Sequence, residues 1–542
     1  MNKKTVFTRI FAVMLSAVMI SALLLPAAYA VTNPCTADDY SPFVVVHGDM
    51  GGVKTNPDGT TSRLFDDGDY VNELLSRGVP SIAKGVLTGN WDEYVAIAEE
   101  VFMPAFEGFA PNLDGSLDPS VKYDANFDPA DAVAAHSYDM TYARHFSYDF
   151  RLSPLDGADL LNTYLEAVRE KTGHEKVVLI GRCGGAAALL AYLNKYERPR
   201  NYAGVECVIF SDGTIGGVEY MEAIYSGTVK VCSGALDRYI NGLGPQDSST
   251  ETMRAAFGDV VQLLKETYSI DVSMELVERV YEQLKDTLIA DILRAYYVRV
   301  LSNWGCIVEN YDKAMAYLFP TQELRDEYAY FIEKIEAYHE QVQLNRDAIL
   351  KEMAAQGISV NFVADYGFQQ NPFHEKADEV GDMLCGLARK TLGATVSNVD
   401  GTLPAAYVTR QTVIGKGGYI SPDKQVDTST CMFPDNTWVI KNNNHESIAW
   451  PEFALFTKIA RTPGANVRSF EEYPAFLNYT DSSTPLTPAA ETNPNDPEYG
   501  YKGPSVLIKL IKKVLDFFST VFQTVSGWID GITGKATATP VV

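Results

Sequence analysis

Cysteine is scarce in this chain: seven in 542 residues, an odd number at wide spacing. That density excludes a small disulfide-stapled scaffold, which needs closely spaced bridges to replace a missing core. Histidine is equally sparse, also seven. No cluster of His, Cys, Asp and Glu has metal-ligand spacing, so neither a metal nor a cofactor is expected. Asp66-Asp67-Gly68-Asp69 and Asp58-Gly59 read as acidic turns rather than calcium ligands. Positive charge is in deficit, with 45 Lys+Arg against 70 Asp+Glu and a net charge of −25. A surface of that sign repels nucleic acid and anionic substrates and favours solubility, so nucleic acid is a poor partner.

The first thirty residues form a secretory leader. Lys3, Lys4 and Arg9 precede an apolar run to Pro26, and Ala28-Tyr-Ala30 is a small-residue cleavage site. Cleavage after Ala30 removes three positive charges and no acid, taking −25 to −28. Cys35 then lies near the new N-terminus with no Leu-x-x-Cys pattern before it, which argues against a lipid anchor there. A secreted protein is expected, with association to the cell surface open. The remaining length suits one large decorated domain or two ordinary ones. The other cysteines are Cys183, Cys207, Cys232, Cys306, Cys385 and Cys431. If Cys183 stays free, six remain, enough for up to three disulfides of undetermined connectivity; several buried free thiols are the alternative.

The most informative stretch runs from Lys176 to Leu190: an apolar strand, the turn Gly181-Arg-Cys183-Gly-Gly185, then an alanine-rich helix. Glycines two residues either side of a cysteine allow a reversal so tight that a Cβ at either would clash. The helix that follows aims its positive end at the thiol and favours thiolate. This is the form of a nucleophile elbow, with cysteine where serine is more common.

Around it, strands alternate with helices. Phe43–Val46 is a strand entering His47-Gly-Asp-Met-Gly-Gly52; Phe146–Arg151 is another, leading to a helix over Ala158–Lys171; Val205–Ser211 follows the elbow helix. Such alternation predicts a doubly wound, mostly parallel sheet. From Tyr220 to Gln356 the pattern turns helical, with apolar stripes at Val277, Val280, Tyr281, Leu284 and Leu288 and at Tyr328, Phe331, Ile332, Ile335 and Tyr338. The alternation resumes at Val360–Gly367. The division expected is therefore a leader over 1–30, a core over 31–219, a helical cap over 220–356, a second core part over 357–480, and a Pro/Thr/Asn-rich linker over 481–503. The last segment, 504–542, holds an amphipathic helix over 505–529. It is too polar to span a bilayer but suited to peripheral membrane contact, to docking on the body or to oligomerisation.

Three blocks, Ser147–Ser153, Val177–Gly185 and Val360–Gly367, resemble in order those of the lecithin:cholesterol acyltransferase-like branch of the α/β-hydrolase lipases. The resemblance implies a nucleophile–acid–histidine triad in that chain order and acyl-ester chemistry on a lipid or small-molecule ester. Cys183 departs from the serine of that branch and is similar to the nucleophile of dienelactone hydrolases and polyhydroxyalkanoate synthases. By the same resemblance, the two oxyanion N–H donors fall at Gly184 and at Asp49 or Met50. Ser421-Pro-Asp-Lys-Gln-Val426 is similar to the family's acid turn and favours Asp423, with Asp427, Asp365 and Asp435 as rivals.

The base follows from position. Thr437–Lys441 is the last strand, and Asn442-Asn-Asn-His445 leaves it directly. His374 is the competitor, but no strand ends before it. A Cys183–His445–Asp423 triad is the expected site. The alternative is a hydrolase scaffold without catalysis, serving as a cell-surface or lipid-binding protein.

Overall fold

The computed structural model describes residues 40–48, 108–122, 143–242, 284–445 and 450–491, with short stretches between 53 and 100 and at 281–282. The expected leader, the tail helix over 505–529 and the loop at Asp49 and Met50 lie outside these residues, as does Cys35.

Eight strands form the central sheet: β1 (Phe43–His47), β2 (Arg144–Phe146), β3 (Val177–Arg182), β4 (Val205–Ser211), β5 (Ser359–Tyr366), β6 (Thr437–Lys441), β7 (Phe476–Asn478) and β8 (Thr487–Pro488). Their spatial order is β8-β7-β6-β5-β4-β3-β1-β2. Every neighbouring pair is parallel except β7 with β8. The inner strands carry runs such as Val177-Val-Leu-Ile180 because both faces are covered. Successive side chains serve opposite cores: Val44, Val46 and Leu179 pack on one face, Phe43, Val45, Val178 and Ile180 on the other.

The first face is covered by α1 (Pro154–Thr172), α2 (Gly185–Tyr192) and α3 (Arg346–Ala355). A four-residue helix, α4 (Leu387–Lys390), follows β5, and α5 (Trp450–Arg461) covers the second face through Leu455, Phe456 and Ile459. The chain is thus an α/β protein with a mostly parallel sheet between helices.

Helix α1 begins four residues before its expected start because Ser153 caps it. Its hydroxyl accepts from the Asp156 N–H at 3.1 Å, the Asp156 carboxylate accepts from the Ser153 N–H at 3.1 Å, and Pro154 stands at the first position. The strand expected over Phe146–Arg151 is shorter and earlier, Arg144–Phe146. The Asp149 carboxylate grips the Arg151 guanidinium at 2.6 Å, and the Leu152 N–H bonds the Asp149 carbonyl at 2.9 Å. That turn removes residues 149–152 from the ladder.

Between β4 and β5 the described residues contain helices and no strand. They gather a separate apolar cluster around Trp304, Leu318, Phe331 and Ile335. Of the two predicted stripes, Tyr328 to Tyr338 is buried throughout, as are Tyr281 and Leu284, while Val277 and Val280 lie outside the described residues. This helical segment touches the core at one place that matters. The turn Leu301–Cys306 lies on α2, where a Cβ on Gly305 would come within 2.7 Å of the Ala187 methyl. No described helix is long and apolar enough to cross a membrane.

Candidate functional site

In a parallel sheet the strand ends and helix starts converge at the C-terminal edge, the usual place for a site. Cys183 stands there, between β3 and α2, with φ +48, a left-handed conformation for a non-glycine residue. Its carbonyl accepts from the Ala186 and Thr214 N–H groups and the Thr214 hydroxyl, all at 3.2 Å, and its own N–H bonds the Ser211 carbonyl at 3.3 Å. The glycines explain themselves sterically. A Cβ on Gly185 would sit 2.2 Å from the Val46 carbonyl oxygen, and one on Gly48 would sit 2.5 Å from the Gly184 Cα. The end of β1 and the elbow are therefore pressed backbone to backbone. That places Gly184 beside the strand end from which the Asp49–Met50 loop departs.

His445 leaves β6 after Asn442, which takes φ +65 to turn the chain inward. Its Nε2 is 3.0 Å from the Cys183 Sγ, and its Nδ1 is 2.7 Å from Asp382 Oδ2. Cys183 and His445 are brought together as expected. The carboxylate is not the expected one: Asp382, on the loop after β5, holds the imidazole in place of Asp423. Asp423 faces Lys441 at 3.2 Å, the Tyr366 hydroxyl at 3.2 Å and Ser421 at 2.5 Å, and it stabilises its own turn by accepting from the Gln425 N–H at 3.1 Å. The rivals are also engaged elsewhere. Asp427 accepts from the Ser429 N–H and Tyr407, Asp435 from Tyr419 and Arg468, and Asp365 from Asn443. His374 accepts from the Lys376 N–H, and burial lowers its pKa to about 3.

Asp382 is held by a tight hairpin. Its Oδ1 accepts from the Leu384 and Cys385 N–H groups at 3.0 and 2.7 Å, Met383 takes φ +78, and Gly381 pairs with Gly386. A Cβ on Gly381 would meet the Cys385 carbonyl at 2.3 Å, so the hairpin closes only on glycine. The sequence signal is Gly381-Asp382 with a second glycine at 386, in the loop after β5.

Electrostatics favour the ionic form of the pair. Burial raises the Cys183 pKa, but His445 outweighs it through charge and hydrogen bond, helped by the Gly184 N–H and Arg182, leaving the thiol below its ordinary value of 9.0. Burial lowers His445 while Cys183 and Asp382 raise it further, to about 10. Desolvation works against the Asp382 anion, yet Lys390 and His445 hold it well below the usual carboxylate range. The thiol and the imidazole titrate as a pair, and both shifts favour thiolate and imidazolium.

The six described cysteines are all free, so no disulfide joins them. Burial pushes Cys207, Cys306 and Cys431 up to about 12 and Cys385 well above its ordinary value, and it also raises the half-buried Cys232. Cys183 is the one lowered. Iodoacetamide at neutral pH should therefore alkylate Cys183 faster than the other five by at least about tenfold, because reaction follows the thiolate fraction. Peptide mapping of the folded protein checks this; preferential labelling of Cys232 would contradict it.

His47 does not join the triad. Its Nε2 meets His145 Nδ1 at 2.6 Å with the rings stacked 4.9 Å apart. Burial, then mutual repulsion and Arg182, lowers His47 to about 3; burial and Arg144 lower His145 to about 4, so both rings are neutral. Asp382, Cys385 and His445 offer donor atoms within 4.8 Å of one another. Their chemistry suits a cation poorly: Lys390 already sits on Asp382 Oδ2 at 2.6 Å, and the Cys385 thiol is held protonated.

The chain matches no known family model and no curated protein.

Proposed function

We propose that this protein is a secreted acyl-ester hydrolase or acyltransferase with Cys183 as nucleophile, His445 as base and acid, and Asp382 as the carboxylate that orients the imidazole. One observation carries the reading: His445 bridges the Cys183 Sγ at 3.0 Å and Asp382 at 2.7 Å, on a strained cysteine between strand and helix. A buried structural cysteine needs neither the left-handed backbone nor a carboxylate-backed imidazole.

The steps follow from that geometry. The Cys183 thiolate adds to the acyl carbonyl, forming a C–S bond and an oxyanion. The Gly184 N–H and a second donor from Asp49 or Met50 receive that charge. As the C–O bond breaks, His445 Nε2–H gives its proton to the leaving alkoxide. Water or an alcohol then attacks the thioester while His445 takes its proton, and the C–S bond breaks to restore the thiolate. Asp382 fixes the tautomer by accepting from Nδ1–H, leaving Nε2 to face sulfur throughout.

The helical segment between β4 and β5 is the proposed cap, since its turn at Leu301–Cys306 lies on the helix that follows the nucleophile. Apolar residues there suit an acyl chain, and the tail over 504–542 would add peripheral contact with a lipid surface. The test is a panel of short- and long-chain esters and thioesters with purified protein. Turnover should fall to the background rate in Cys183→Ala, with a covalent acyl adduct on Cys183 seen by mass spectrometry in the unmodified protein. Labelling of Cys183 without turnover of any ester would favour the scaffold reading.

A further inference from the structure

Four ionised side chains, Asp382 of the triad and three behind it, stand in a regular order. The Arg182 guanidinium donates to Asp212 Oδ2 at 3.0 Å; Lys390 Nζ donates to Asp212 Oδ1 at 2.6 Å and to Asp382 Oδ2 at 2.6 Å. Asp382 then meets His445, and His445 meets Cys183. The chain of charges closes on itself twice. Arg182 immediately precedes Cys183, and its other terminal nitrogen donates to the His445 carbonyl at 2.9 Å. Lys390 spends its third proton on the Asp365 carbonyl at 2.7 Å, so all three of its donors are directed. Asp212 is held at φ +46 by the Val363 carbonyl, which takes its N–H at 3.0 Å, while its Oδ1 accepts from the Asp365 N–H at 2.9 Å.

All four side chains are less than a tenth exposed. Buried charges are costly unless every one is matched, and a purely structural core is served as well by apolar residues of the same size. Two further cations and a second aspartate are more than a triad requires. Their placement matters: Lys390 shares the very oxygen that His445 uses, and Arg182 spans nucleophile and histidine loop.

We propose that Lys390 and Asp212 are positioning residues that set the acid strength of Cys183, acting through Asp382 and His445 on one side and through Arg182 on the other. This rests on the reading of Cys183 as nucleophile. A cation at Lys390 lowers the pKa of the thiol and a carboxylate at Asp212 raises it, and the two nearly cancel. The other titratable groups facing this ring are Asp365 from β5, Glu452 from α5 and Cys385 from the acid hairpin. Burial and the Asp212 charge push Asp365 well above the usual carboxylate range, burial raises Glu452 to about 7, and burial with the Asp382 charge raises the Cys385 thiol well above its ordinary value.

The test is the pH dependence of Cys183 alkylation by iodoacetamide, which needs no substrate. Lys390→Met should raise the apparent pKa of the thiol and Asp212→Asn should lower it, each by about one unit, the order expected of a single nearby charge at an effective dielectric of about 20. The double variant restores the net charge and should return the pKa to within about 0.3 unit of the unmodified protein. A structural role would weaken all three variants alike and would not give opposite shifts with mutual rescue. If Lys390→Met does not accumulate as folded protein, the Asp212→Asn fall and its return in the double variant decide. Singles that titrate like the unmodified protein, or that move together, overturn the proposal. Opposite shifts in a protein that turns over no ester would leave the ring standing and remove the hydrolase reading.

Discussion

Replacing Asp382 by asparagine should lower kcat/KM on an activated ester by about three to four orders of magnitude, while Asp423→Asn should change it by less than about threefold. The larger figure is what loss of the orienting carboxylate costs a triad, because the amide leaves the imidazole free to present the wrong tautomer to the nucleophile. Here the loss is compounded: a neutral amide could not balance Lys390, which would sit beside the imidazole with one anion fewer. The smaller figure follows from the distance between functions. Asp423 braces the turn before Val426 and pairs with Lys441, and neither contact reaches His445. Steady-state kinetics of the two variants, with folding checked by circular dichroism, separates them. Equal loss in both, or loss confined to Asp423→Asn, would return the acid to the turn at residues 421–426.

Gly185→Ala should be about 3 kcal/mol less stable than the unmodified protein and should lose nearly all activity. Its Cβ would stand 2.2 Å from the Val46 carbonyl oxygen and 2.5 Å from the His47 carbonyl carbon. Those atoms belong to the first strand of a fully covered sheet and cannot yield as the end of a flexible side chain would. Overpacking in such a place costs about 1–3 kcal/mol, the upper end applying where backbone must move. Any relief would push α2 away from β1, widening the gap between Gly184 and Gly48. Gly184 carries one proposed oxyanion N–H, and a misplacement of about 1 Å there can cost about a hundredfold in rate. Gly418→Ala is the control, since a Cβ at Gly418 meets nothing within 4 Å, and it should be within about 0.5 kcal/mol of neutral. Urea unfolding of both variants gives the comparison; a Gly185→Ala protein of unchanged midpoint would mean that the elbow is looser than its contacts state.

What is legible in short stretches of sequence is what is decided locally. Short apolar runs become covered strands, and β3 and β6 begin and end close to their expected limits. Glycines at 181 and 185 around a cysteine fix the sharp turn by sterics alone. The strand ending at Lys441 is not the last, since β7 and β8 follow it, yet with seven histidines in the chain the place directly after that strand pointed to His445. Even the shortened β2 has a local cause in the Asp149–Arg151 pair, which competes with the ladder for the same residues.

The carboxylate was different in kind. The right neighbourhood was legible, a loop after the strand now seen as β5, but residues 367–436 offer many aspartates. Which one returns to the imidazole depends on how that excursion folds back. The decision lies in contacts between segments far apart in sequence: Gly381 closing on Cys385, Lys390 reaching Asp212 across the sheet edge, and Arg182 binding the carbonyl of His445. The same holds for the buried charges themselves. Arg182, Asp212 and Lys390 look like solvated residues in a line of text, because a charge reveals burial only through partners that the fold supplies. The sequence by itself determined the sharp turn at Cys183, the alternation of parallel strands with helices and the place of His445 directly after a strand, each specified by short-range sterics or by chain order. Only the tertiary structure decided the acid and the ring of charge behind it, since long-range pairing selects among carboxylates that are chemically identical.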